Sequence, residues 1–177
     1  AEVRLNNFYK DSIQGDSVLT KYYKTLGVET KFTQNKIILT KLKDFTLPQQ
    51  LNLNLIDSPD LAQTIAVTCF GLKINCSLDG LQTLNIKETK RLNALENELK
   101  KLGANVKVTE TSLNLFEVKK IKKNIKINTY DDHRMAMSFA PLSLKIPIFI
   151  QNPSVVAKSY PKFWDDLKKA GFIIKPI

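Results

Sequence analysis

Apolar residues recur at helical spacing in three stretches of the chain. The first holds Val18, Leu19, Tyr22, Tyr23 and Leu26, the second Leu92, Leu95, Leu99 and Leu102, and the third Phe163, Trp164, Leu167 and Ala170. An apolar stripe of this period predicts an amphipathic helix in each. Each closes on a glycine, Gly27, Gly103 or Gly171, a residue that readily takes the left-handed conformation ending a last turn. An extended segment follows each glycine. Val28, Thr30 and Phe32 alternate after the first, as do Val106 and Val108 after the second. Turn-like Gln34-Asn35 and Glu110-Thr111 then lead to second apolar runs, Ile37 to Leu39 and Leu113 to Phe116. Alternation on both sides of a turn predicts hairpins.

A second kind of helix also recurs. SPDLAQTIAVTCFGL and YDDHRMAMSFAPLSL each place an aspartate, Asp60 and Asp132, in N-cap position before a run of small and apolar residues. A helix with so little polar surface is expected to be buried on most sides. The repeating unit is strand, buried helix, strand, amphipathic helix, hairpin. Two such units span Leu51 to Val118 and Ile125 to Ile177, and the back half of an earlier one spans Glu2 to Leu42. The period, about 70 residues, is too long for a solenoid. Units packed around a common axis, helices inside and sheets outside, would make residues 1–177 one α/β domain with pseudo-three-fold symmetry. A repeat that begins mid-unit, in a chain without an initiator Met, suggests a piece of a longer protein.

Composition changes this picture little. With 177 residues, 43% hydrophobic and 25% charged, the chain can bury a core of its own. No run of about 18 apolar residues exists, so no membrane span is expected, and the N-terminus has no signal-peptide pattern. Cys69 and Cys76 fit neither zinc nor redox spacing. They read as buried free thiols in a reducing cytoplasm. The net charge of +10 permits nucleic acid, an acidic surface or small anions as partners. Most of that charge is lysine. Arginine is confined to Arg4, Arg91 and Arg134, and His133 is the sole histidine. Two of the three arginines stand in dense polar motifs, where bidentate anion binding favours arginine.

Four clusters can carry chemistry. Asp60 alone reads either as a helix cap or as a base. Lys87-Glu88-Thr89-Lys90-Arg91 opens an amphipathic helix, where free N–H groups favour an anion; a solvated first turn is the plainer reading. Asp131-Asp132-His133-Arg134 opens a buried helix with cations, which the helix dipole disfavours unless an anion is near. Lys158, in Val155 to Pro161, comes from the loop leading into the third amphipathic helix. Equivalent positions of a three-fold repeat lie at one end of a domain. Lys87, Arg91, Arg134 and Lys158 are therefore expected to form one cationic face with Asp60 and Glu88 among them, suited to a multiply anionic substrate.

These motifs resemble a known family. Asp132 to Ser138 is similar to the D-H-R-x-A-M segment of 5-enolpyruvylshikimate-3-phosphate synthases, and Lys87 to Arg91 to their K-E-T-D-R segment. Pro59-Asp60 with Ala62 and Thr64 resembles P-D-x-A-x-T. Ala157 to Pro161 resembles A-K-[TS]-[FY]-P, and Asp11 to Asp16 also looks like a family segment. The motifs appear in family order along essentially the whole chain. The resemblance implies an enolpyruvyl transferase-like α/β fold of βαβαββ units in two similar domains. This chain would be most of the C-terminal one, and the N-terminal domain of the same enzyme its missing partner.

The implied activity moves the enolpyruvyl group of phosphoenolpyruvate to the 5-hydroxyl of shikimate 3-phosphate in the shikimate pathway. Asp60, Lys87 and Glu88 would be catalytic, with Asp60 and Lys87 also contacting shikimate 3-phosphate. Arg91, Arg134 and Lys158 would hold phosphoenolpyruvate, and His133 and Asp132 would support them. No metal and no organic cofactor is implied, nor any nucleic acid or membrane partner, and the location would be cytoplasmic. Lys90 departs from the family's Asp: a cation replaces a carboxylate that could brace Arg91, so altered support of Arg91 is expected. The alternatives are an enolpyruvyl transferase for a UDP-sugar, a basic nucleic-acid-binding module lacking the aromatic-basic interleaving of single-strand binders, or an inert folded piece.

Overall fold

The computed structural model describes residues 2–87 and 89–175. Glu88, one of the carboxylates singled out above, lies outside the described residues. The chain divides into two compact units, Ala1–Gln49 and Gln50–Ile177.

In the first unit, β1 (Glu2–Asn6) is followed by α1 (Leu19–Lys24), β2 (Val28–Phe32) and β3 (Lys36–Lys41). The strands pair antiparallel in the order β1-β3-β2, with Phe32 and Leu5 both opposite Ile37. β2 alternates as predicted, Val28, Thr30 and Phe32 being half-buried and Glu29 and Lys31 exposed. Gly27 joins α1 to β2 at φ +79°, and a Cβ there would stand 2.6 Å from the Phe45 ring. No other residue fits that turn without moving the ring. Its buried apolar residues are Leu26 and Ile37, and β1 is exposed along its length.

The second unit opens with β4 (Gln50–Asn54), α2 (Ala62–Leu72), β5 (Asn75–Asp79), α3 (Arg91–Lys101), β6 (Val106–Val108) and β7 (Leu113–Leu115). This is one complete βαβαββ run. β4 and β5 are parallel, joined by the α2 crossover, and the β6–β7 hairpin adds antiparallel to β5, giving the order β4-β5-β7-β6. A second run follows: β8 (Ile125–Ile127), α4 (His133–Phe139), β9 (Ile148–Ile150) and α5 (Phe163–Lys169), with β8 and β9 parallel. The three sheets share one plan: β1-β3-β2 matches β5-β7-β6, and β8-β9 matches β4-β5. After Gly171, residues 172–175 form no strand. A first hairpin strand needs its return strand beside it, and none of the described residues supplies one.

α2 and α4 are the buried helices and pack against each other. α2 buries Ala62, Ile65, Ala66, Val67, Cys69 and Phe70, and α4 buries Met135, Ala136 and Phe139. α3 turns Leu92, Leu95 and Leu99 inward, each fully out of water, and burying one such leucine contributes about 2 kcal/mol. Two charged residues, Arg91 and Glu98, share that buried side of α3. Gln63 is buried as well, its side-chain amide without a hydrogen-bond partner among the described residues. Cys69 and Cys76 are free and buried, and the hydrogen bond to Cys69, with burial, pushes the Cys76 thiol far up from its ordinary value. No helix among the described residues is long and apolar enough to cross a membrane.

Candidate functional site

Three chain segments meet at one carboxylate. Asp60 lies in a 3-10 turn, Pro59–Leu61, that leads into α2. The sequence pattern places it at an N-cap, but the caps are Ser58 for the turn and Leu61 for α2, and neither makes a side-chain cap bond. The Asp60 carboxylate is engaged by cations instead. Arg91 Nη1 donates to Oδ1 at 2.8 Å, Lys87 Nζ stands 3.5 Å from the same oxygen, and Arg134 Nη2 lies 3.5 Å from Oδ2. Arg134 Nη1 also donates to the Asp60 carbonyl at 3.3 Å. Charged pairs of this kind outcompete a helix-capping bond to a neutral N–H.

Asp132 is an N-cap, as the pattern predicts: its Oδ1 accepts from the Arg134 backbone N–H at 2.8 Å. Its other oxygen accepts from Arg91 Nε at 2.6 Å, with Arg91 Nη2 3.5 Å from Oδ1. Asp132 is fully buried and Arg91 is 1% exposed. Arg134, the cation in the first turn of α4, therefore meets the anion that its position demands: Asp60 reaches it from the turn before α2, and Asp132 caps the helix.

The expectation about Lys90 is only partly met. Lys90 is the N-cap residue of α3 and makes no side-chain cap bond. Arg91 nevertheless has two carboxylates on it, Asp60 and Asp132, both from other elements. Support has come from across the site rather than from the neighbouring position.

Exposure separates the cations. The Lys87 and Arg134 side chains are 35% and 31% exposed, and Asp60 is 27% exposed, whereas the Arg91 side chain is 2% exposed. Lys87 and Arg134 hold long contacts and reach solvent, so an incoming anion can draw them from Asp60. Arg91 is a fixed charge behind them. Lys158 ends a 3-10 helix, Pro153–Lys158, and its Nζ donates to the Asp131 carbonyl at 2.9 Å, placing it beside the turn that carries Asp132. His133 is half-buried as the first residue of α4. Asp60, Lys87, Arg91, Asp132 and Arg134 are thus joined in one cluster, with Lys158 reaching it through Asp131. Among the described residues, no group of three His, Cys, Asp or Glu side chains is placed to hold a metal.

The sequence reading missed Glu98. Its fully buried carboxylate accepts from Tyr130 Oη at 2.7 Å and from the Asn128 N–H at 3.2 Å, and pairs with Lys101 Nζ at 2.7 Å. Burial and this carboxylate push the Tyr130 hydroxyl up to about 12. Glu98 lies seven residues after Arg91, the spacing that returns a helix to the same face, and that offset was the available signal.

Comparison with known proteins bears on the family and the fold. A family model described as EPSP synthase (3-phosphoshikimate 1-carboxyvinyltransferase) matches residues 1–167. The chain is 43% identical to the 3-phosphoshikimate 1-carboxyvinyltransferase of Bacteroides fragilis, a match covering 99% of this chain and 43% of that relative. It is 32% identical to the protein of the same name from Neisseria meningitidis serogroup C, over 92% of this chain and 38% of the relative. The chain therefore spans less than half the length of these relatives. Its fold resembles that of EPSP synthase from Acinetobacter baumannii, with a TM-score of 0.71, 22% identity, and coverage of 96% of this chain and 41% of the other.

Proposed function

Because the chain belongs to the EPSP synthase family, we propose that it supplies the phosphoenolpyruvate-facing part of a 3-phosphoshikimate 1-carboxyvinyltransferase, working with an N-terminal domain of the same enzyme. The reaction adds the 5-hydroxyl of shikimate 3-phosphate to C2 of phosphoenolpyruvate while C3 gains a proton. The adduct then loses phosphate and a proton from its C3 methyl group to leave the enolpyruvyl ether. Asp60 accepts the hydroxyl proton, and Lys87 steadies the developing charge on that oxygen. Glu88 exchanges the proton at the methylene carbon. Arg134 and Lys158 hold the phosphoenolpyruvate carboxylate and phosphate, with Arg91 contributing fixed positive charge from its buried position. Asp132 and His133 orient the start of α4.

The observation that most supports this reading is the convergence of Lys87, Arg91 and Arg134 on the Asp60 carboxylate. Lys87 and Arg134 reach solvent beside that carboxylate, and preorganised cations stabilise an anionic transition state without moving far. The reading assigns no role to a metal, an organic cofactor, nucleic acid or a membrane. Two buried thiols suit a reducing cytoplasm.

The test joins this chain to the N-terminal part of the Bacteroides fragilis relative and measures phosphate release from the two substrates. The joined protein is expected to turn over and the isolated chain is not. Arg134→Ala in the joined protein is expected to raise KM for phosphoenolpyruvate by about tenfold or more, the loss of a charged hydrogen bond. A folded, joined protein that releases no phosphate would overturn the proposal. Turnover by the isolated chain would overturn the division of the site between two domains.

A further inference from the structure

The loop before α4 carries an unusual backbone. Tyr130 and Asp131 both have positive φ, 54° and 55°. Neither is glycine, and side-chain-bearing residues resist this region because Cβ crowds the carbonyl. Two in succession persist only where surrounding contacts over-determine them. The next residue is Asp132, the buried cap that receives Arg91, and then His133 and Arg134. Reversal of the chain at 130–131 is what aims these three side chains.

The contacts holding the turn come from both flanks. From α3, Glu98 accepts the Tyr130 hydroxyl and the Asn128 N–H. From the other flank, Asn152 Nδ2 donates to Asp131 Oδ1 at 2.9 Å and Lys158 Nζ donates to the Asp131 carbonyl at 2.9 Å. α3 thus grips one loop at two points along a single face, Arg91 on Asp132 and Glu98 on Tyr130. A carboxylate removed wholly from water is costly unless paired and hydrogen-bonded. Glu98 has Lys101 as its ion partner, and its remaining acceptor capacity is spent on this turn rather than on its own helix.

We infer that Glu98 and Tyr130 are positioning residues for the site: their hydrogen bond fixes the left-handed Tyr130–Asp131 turn and, through it, the placement of Asp132, Arg134 and Lys158. Neither touches the reacting atoms. The inference concerns the geometry of the cluster and rests on the proposed function only for the identity of the ligand.

The experiment is carried out on the chain as it stands, comparing it with Tyr130→Phe, which keeps the ring and removes the hydroxyl, and with Glu98→Gln, which keeps an acceptor. Amide hydrogen exchange is read at the Arg134 N–H, which bonds to Asp132, and at core amides such as Cys76 and Leu78 in β5. Phosphoenolpyruvate affinity is read by calorimetry on the same samples. In Tyr130→Phe, exchange at Arg134 is expected to rise about tenfold, as for loss of one hydrogen bond. The β5 amides should change less than about twofold, with Glu98→Gln intermediate. Phosphoenolpyruvate binding, where the parent shows it, should weaken by about fivefold or more. Unchanged exchange at Arg134, or a rise matched by the core, would overturn the inference, since a merely structural bond moves both together. A local rise at Arg134 in a chain whose parent binds no phosphoenolpyruvate would support the positioning role and count against the ligand assignment.

Discussion

Arg91 Nε donates to Asp132 Oδ2 across 2.6 Å with both side chains almost wholly out of water. The pair ties the first residue of α3 to the residue that caps α4. Removing Asp132 takes away the buried half of the support of Arg91 and leaves Asp60 on its Nη1, and loss of one member of a buried pair costs far more than the intact pair contributes. Asp132→Ala is therefore expected to lower unfolding free energy by about 3–5 kcal/mol, read as a shift of the urea midpoint with unchanged slope. A loss below about 1 kcal/mol would mean that water reaches the pair.

Gln63 presents the opposite case. Both of its amide atoms are buried without a partner among the described residues. Gln63→Met keeps the length and removes the polar atoms. It is expected to leave stability unchanged or raise it by about 1 kcal/mol. Denaturation that shows a marked loss instead would place an ordered water on that amide.

Lys90 gives a surface test. It caps α3 with no side-chain bond to the helix and puts positive charge at the positive end of the dipole. Lys90→Asp, which restores the residue of the family motif, is expected to stabilise the fold by about 1 kcal/mol, seen as a higher thermal midpoint. No gain would mean that the backbone at Lys90, with ψ 79°, keeps a side chain from reaching the first-turn N–H groups.

Tyr130 adds a pH dependence. Its folded-state hydroxyl is pushed up to about 12 by burial and by Glu98, above its ordinary 10. The folded protein thus holds this proton more tightly than the unfolded chain. The contribution is fully present below pH 10 and is lost as pH rises through about 12. The difference in thermal midpoint between the parent and Tyr130→Phe should be constant from pH 7 to pH 9 and shrink above pH 10. Lysine titration affects both proteins alike and drops out of the comparison. A difference that stays constant to pH 12 would contradict the shift.

Much of the second unit is legible in the residue pattern because its helices and hairpins obey short-range periods. α3 begins at Arg91 and ends before Gly103, and the β6–β7 turn falls at Glu110-Thr111, as the spacing predicts. The cap at Asp132 was readable for the same reason. The cap predicted at Asp60 did not form, because its carboxylate answers to Lys87, Arg91 and Arg134, the cations that the repeat is expected to gather around it, and charge pairing displaced the local preference. Glu98 was missed: its seven-residue offset from Arg91 gives its face but not its partner. Its burial depends on Tyr130 arriving from another element, which no window along α3 contains. Arg91 shows the same limit from the other side: Lys90 suggested altered support, and the support comes from residues about 30 and 40 positions away.

The way Asp60 gathers its cations also bears on how fast an anion arrives. Lys87, Arg91 and Arg134 stand against Asp60 and Asp132, so three positive charges face two negative ones and the cluster carries little field of its own. At a distance beyond about 8–10 Å in ordinary salt, such a nearly balanced group is almost silent. Attraction of a multiply charged anion from solution then falls to the lysine-rich surface and the net charge of +10. Encounter should slow steeply with ionic strength and respond to lysines far from Asp60, while the residence time of the bound anion answers to the cluster itself.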